Sequence, residues 1–192
     1  MKRTKGGEST LPELYIQQKT LNNAFQLPIK DEQGRTHFFL KGKLFSGGDT
    51  LELMDVTGRV LLLVKQIKGE FSTKYVILKG KETIATIQKK RRFPLLFHEQ
   101  YYIKEFSWKS YGNIQKRLYQ VRRFHELIFT MKPVTLNFGE VFSLNVADKE
   151  NIPYAICLAY ILDNWGFSTK AKTESLTRKG AIENACYFEN NS

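Results

Sequence analysis

The sequence predicts a mainly β protein in which an antiparallel sheet closes around a C-terminal α-helix. A hairpin-like phrase recurs along the chain, turn residues follow one another at short intervals, and only one late segment loses the alternating pattern. That late segment is apolar on nearly every side. A helix of this kind must be buried all round, and in an otherwise all-β chain the natural place is the inside of a closed sheet.

The recurring phrase occupies residues 51–65, 75–89 and 119–132. Each copy places apolar residues at every second position, has turn residues in its middle and ends on a lysine. Each copy therefore predicts a β-hairpin, and repeated hairpins imply a sheet large enough to close or to stack.

Further strands are predicted over 14–18, 24–31, 36–46, 100–110 and 139–148. Gly34 and Gly58 lie where tight hairpin turns need a positive φ, and a polar turn is expected around Gly112 and Asn113. The irregular segment containing Pro94 predicts a crossover between two halves related by internal duplication.

The apolar segment 152–165 predicts the helix. Asp148 or Asn151 can cap its start, and Pro153 in the first turn lacks an N–H that would be unpaired there in any case. Gly166 is expected to end the helix.

The chain of 192 residues suits one domain, which we expect over 14–166 between a flexible leader, 1–13, and a disordered tail, 167–192. Its longest apolar run has eleven residues, too few for the roughly 20 that a membrane span needs. With no secretory signal and only two cysteines, the sequence predicts a cytoplasmic protein.

The net charge of +11 favours an anionic partner such as acidic lipid, nucleic acid or an acidic protein. The charge is concentrated in residues 89–132, where eleven Lys and Arg face only Glu99, Glu105 and Glu126.

Three phrases, at 38–66, 75–90 and 152–165, resemble in order and spacing the LURP-one-related family, which belongs with the tubby C-terminal-domain-like proteins and more distantly with phospholipid scramblases. The resemblance covers residues 14–166 and implies a closed barrel of about a dozen strands threaded by the C-terminal helix. Tubby-type domains bind phosphoinositide head groups, so it also implies a lipid-binding module. The chain departs from the family pattern at 122–125, where the turn is bulkier and more basic.

Four adjacent cations at 89–92, followed by an apolar stretch with a proline, suit a contact with lipid phosphates; the alternative is an edge strand protected by charge. Lys41 and Lys43, on one face with Phe39 and Phe45, form a second candidate or else are ordinary solvated lysines. The candidate lipid-binding residues are Lys89, Lys90, Arg91, Arg92, Arg117, Arg122, Arg123, Lys41 and Lys43.

Two other partners remain open: a protein docked on a non-enzymatic scaffold, and nucleic acid, which ranks third because no recognised binding signature is present. We expect no catalysis, cofactor or metal. His37, His98 and His125 lack metal-ligand spacing, and the apolar neighbours of Cys157 should raise its pKa.

Overall fold

A computed structural model describes residues 13–17, 26–42, 44, 48–68, 73–90, 100–113, 116–136 and 139–163. The predictions for the leader before residue 13, for Lys43, Arg91 and Arg92, and for everything after residue 163 lie outside these ranges.

The described chain forms a closed antiparallel barrel of twelve strands. The strands are β1 Leu14–Gln17, β2 Leu27–Asp31, β3 Thr36–Gly42, β4 Thr50–Asp55, β5 Val60–Lys68, β6 Thr73–Lys79, β7 Glu82–Lys90, β8 Gln100–Ile103, β9 Trp108–Asn113, β10 Leu118–Arg123, β11 Glu126–Leu136 and β12 Gly139–Val146. Each strand pairs with its neighbours in sequence, and β1 closes the barrel by pairing with both β2 and β12.

A helix, α1, follows β12 and lies inside the barrel. Asp148 caps a 3₁₀ turn, Lys149–Asn151, by accepting a 3.0 Å hydrogen bond from the Glu150 backbone N–H, and α1 runs from 152 to the last described residue, 163. Residues 155–162 are buried in one cluster with the inward side chains of the strands. The predicted barrel with a central apolar helix is confirmed. Among the described residues, no helix is long and apolar enough to cross a membrane.

Two hairpin turns share the sequence Asp-x-x-Gly-Arg and the same bonding. In the β4–β5 turn, a carboxylate oxygen of Asp55 accepts hydrogen bonds from the backbone N–H groups of Thr57 and Arg59, and Gly58 has φ +85°. Asp31 and Gly34 do the same between β2 and β3, where Gly34 has φ +77°. The predicted positive φ at both glycines is confirmed.

The prediction of a single strand over 100–110 is wrong, because β8 and β9 form a hairpin there with a turn at 104–107. The inward side chains change from odd positions, such as Ile103, to even ones, such as Trp108, and that change of parity marks the turn. The turn predicted around Gly112 and Asn113 lies a few residues later, because β9 continues to Asn113, which pairs with Leu118 at the start of β10. Gly112 lies in β9, where a Cβ would come within 2.1 Å of the Leu118 carbonyl oxygen on β10.

Candidate functional site

Of the predicted run of four cations, Lys89 is the member whose side chain the structure describes. Lys89 has the same parity as buried Ile87 and pairs with buried Tyr101, so it belongs to the inward side of β7. Lys90 is the last residue of β7. Arg91 and Arg92 lie outside the described residues.

Arg117 fastens the end of the helix to the barrel wall. Its guanidinium forms an ion pair with Asp163 of α1 and lies 4.5 Å from the centre of the Phe142 ring on β12. Burial raises the pKa of Asp163, against the opposite effect of the Arg117 charge. These contacts give Arg117 a structural role.

Lys41, the described member of the second candidate pair, is exposed on β3 and has Glu52 of β4 as its register partner. A carboxylate directly across the strands lowers the local positive potential. The surroundings of Lys41 are therefore of mixed charge.

Arg122 belongs to a continuous row of outward side chains that crosses strands β5 to β11. The members of this row, which we call the basic row, are register partners in succession: Ile67, Lys74, Gln88, Tyr102, Lys109, Arg122 and Leu127. Each pair of neighbours is separated by about 5 Å, the distance between paired strands.

The basic row contains three cations and four uncharged residues but no carboxylate. Among the described residues, no ion pair is formed by Lys74, Lys109 or Arg122. Arg122 donates to neutral acceptors, the His125 carbonyl oxygen at 3.1 Å and Gln120 Oε1 at 3.4 Å. The row therefore keeps its positive charge.

The curvature of the barrel limits what a flat partner can contact. The row crosses seven of the twelve strands, which is more than half of the circumference. A flat surface can meet only part of it. The part on β8–β11 combines the cations Lys109 and Arg122 with Tyr102 and Leu127 and ends beside the β10–β11 turn.

Arg123 lies next to this part of the row but is paired. Its Nη2 donates to Glu126 Oε2 at 2.7 Å across the turn. Both side chains are about half exposed, so this is a surface ion pair of small energetic value.

The sequence interpretation included Arg122 among the candidate residues but missed Lys74 and Lys109 as its partners. Each of these three cations lies on a different strand, with an outward parity that the alternation of its own strand indicates. The parity was therefore readable from the sequence. The registers that align the strands were not, because they depend on closure of the whole barrel.

A separate groove of about 530 Å³ lies on the outer face beside β1 and β2, lined by Tyr15, Lys30, Asp31 and Glu32 among others. It carries both signs of charge, and Asp31 is engaged by hydrogen bonds from His37 and Arg35 that lower its pKa. The groove therefore does not extend the basic surface.

Two observations bear on possible chemistry. Burial raises the pKa of Cys157 to about 12, which confirms the direction predicted from its apolar neighbours. Among the described residues, no three or more His, Cys, Asp or Glu residues are grouped so that they could hold a metal ion.

The LURP-one-related family model matches residues 13–163 of the chain. The chain belongs to the LURP-one-related family. It is 26% identical over 153 residues to the uncharacterized protein YxjI of Bacillus subtilis (strain 168), covering 79% of this chain and 91% of YxjI. The basic row therefore lies within the region that the family shares.

An X-ray structure of the Arabidopsis thaliana protein AT5G01750 has the same fold, with a TM-score of 0.55 at 16% identity, over 80% of this chain and 90% of that one. At this level of identity the likeness concerns the fold. The resemblance seen in the sequence is thus confirmed for the family and for the barrel.

Proposed function

We propose that this protein is a non-enzymatic binding module that attaches peripherally to anionic phospholipid through the basic row. The observation that carries the proposal is the row itself, in which Lys109 and Arg122 are register partners on neighbouring strands and Lys74 follows three strands away, without an intervening carboxylate. A cation close to an anionic bilayer contributes about 1 kcal/mol of attraction.

The proposal modifies the set of lipid-binding residues expected from the sequence. Lys109 and Arg122 become its centre, Lys74 lies at its side, and Arg117 is assigned to the attachment of the helix. The protein would act in the cytoplasm, at the inner face of the membrane, where anionic lipids are abundant.

The test is sedimentation of the purified protein with vesicles of phosphatidylcholine, with or without phosphatidylserine, over a series of salt concentrations. We expect binding to the anionic vesicles that weakens as salt screens the charges. Reversing Lys109→Glu and Arg122→Glu together should weaken binding by at least about 30-fold, because two attractions are lost and two repulsions are gained.

The matched control is the pair Lys30→Glu and Lys132→Glu, which changes the net charge by the same amount at exposed positions outside the row. Equal loss of binding in both pairs would show that only net charge matters and would contradict the proposed site. Absence of binding to anionic vesicles would contradict the function itself. In that case, salt-insensitive co-purification of one protein would favour a scaffold, and binding of single-stranded oligonucleotides would favour nucleic acid.

A further inference from the structure

The β10–β11 turn carries an aromatic residue that nothing in the described structure covers. Phe124 is 81% exposed, more than any other large apolar side chain in the described part of the chain. It is the first of the two residues, Phe124 and His125, that join Arg123 to Glu126. A phenylalanine is therefore held in water at the tip of a hairpin.

The backbone at Phe124 is also unfavourable for its residue type. Its φ is +54°, in the left-handed region that glycine and asparagine adopt at the lowest cost. A bulky residue in such a conformation, without packing contacts that offset the strain, is typical of functional positions rather than of positions that stabilise the fold.

The surroundings of Phe124 indicate the kind of partner. Arg122, a member of the basic row, lies two residues before it, and exposed Leu127 is the register partner of Arg122 on β11. An apolar tip among cations fits the boundary between lipid head groups and acyl chains, where charge meets phosphate and the ring enters the hydrocarbon. A protein partner with a dry pocket would not need the flanking positive charge.

We infer that Phe124 is a membrane anchor, which enters the acyl boundary of an anionic bilayer while Arg122 and Lys109 contact the head groups. This inference rests on the proposed function. It adds an apolar contribution that salt does not screen, so part of the binding to anionic vesicles should survive at high salt.

The test compares Phe124→Ala with Val56→Ala in sedimentation with anionic vesicles at high salt. Val56 is a suitable control because it is 59% exposed in the β4–β5 turn, outside the basic row. We expect about a tenfold loss of binding for Phe124→Ala, as for removal of a buried aromatic ring, and less than about a twofold change for Val56→Ala.

A third variant, Phe124→Trp, reports the location of the ring directly. We expect it to keep binding and, relative to wild type, to gain a tryptophan signal that shifts to the blue and is quenched by lipids brominated on their acyl chains. Binding of wild type and Phe124→Ala to an equal extent, or a Trp signal that these lipids do not quench, would overturn the anchor while leaving the proposed function intact. Failure of wild type to bind anionic vesicles at any salt concentration would instead overturn both.

Discussion

The β4–β5 and β10–β11 hairpins lie on opposite sides of the barrel, six strands apart in its order, yet their turns are built differently. Both hairpins shift register just before the turn, between Leu53 and Met54 in one and between Val121 and Arg122 in the other. The β4–β5 turn places Gly58 at its positive φ, whereas the β10–β11 turn places Phe124 there.

The two turns also differ in their polar contacts. Asp55 accepts hydrogen bonds from two backbone N–H groups and from the Arg59 side chain, so the β4–β5 turn is stabilised by its own residues. The β10–β11 turn is held by exposed side chains, with Arg122 donating to the His125 carbonyl oxygen and Arg123 paired with Glu126, and it leaves Phe124 in water. The first turn is thus stabilised by hydrogen bonds within it, whereas the second keeps an exposed Phe124 at a positive φ.

The largest change in stability should follow from giving the β10–β11 turn a residue suited to its backbone. Phe124→Gly places glycine at the first loop position, where φ is positive, whereas His125 has no positive φ and is left unchanged; we expect the free energy of unfolding to rise by about 1–2 kcal/mol. Urea unfolding measures this. A decrease would mean that Phe124 contributes to packing and that the two turns do not differ in strain.

The converse change at Gly58 should have a slightly smaller effect. No heavy atom lies within 4 Å of the position of an added Cβ, so Gly58→Ala tests the backbone conformation alone. We expect a loss of about 1 kcal/mol in the free energy of unfolding. Val56→Ala in the same turn is the control and should change stability little, and equal losses in the two variants would contradict an origin in φ.

The two turns should also differ in their response to acid. The hydrogen bond from the Thr57 side chain, helped by the backbone N–H groups of Arg59 and Thr57, lowers the pKa of Asp55. Because the unfolded chain then binds a proton more readily, the carboxylate adds stability above the ordinary Asp pKa of about 4, and this contribution is lost as the pH falls below it.

Asp55→Asn should therefore destabilise the protein near neutral pH and approach wild type in acid. Urea unfolding of both proteins at several pH values measures the difference between them. A difference that stayed constant with pH would contradict the role given to the Asp55 charge.

The sequence was sufficient to predict most of the fold because its signals are local. Alternation located the hairpins, Asp-x-x-Gly-Arg marked two turns, and the all-round apolar segment at 152–165 indicated a helix inside a closed sheet. The β8–β9 hairpin was missed because Ile103, Phe106 and Trp108 look like one apolar pattern unless the change of parity after Ile103 is noticed.

The candidate site was only partly predictable for a physical reason. Charges adjacent in sequence along a strand point to opposite faces, whereas Lys109 and Arg122 are distant in sequence and become neighbours through the register of β9 and β10. Such registers are set by bulges and by closure of the barrel, which no single segment encodes.

The smallest change in stability should come from the ion pair of the β10–β11 turn. Glu126→Gln removes a half-exposed partner of Arg123, and such pairs are worth less than about 1 kcal/mol, so the free energy of unfolding should stay within about 0.5 kcal/mol of wild type. Binding to anionic vesicles should nevertheless increase, by up to about fivefold, because the charge of Arg123 becomes available next to the basic row.

Glu140→Gln is the matched control, since it removes the same charge from an exposed position on β12 outside the row. If both variants increase vesicle binding equally, net charge explains the gain and the two hairpins do not differ in their contact with lipid. If only Glu126→Gln increases vesicle binding, the β10–β11 hairpin is the one that contacts the membrane. A substitution in this hairpin would then strengthen binding to lipid while leaving the free energy of unfolding unchanged.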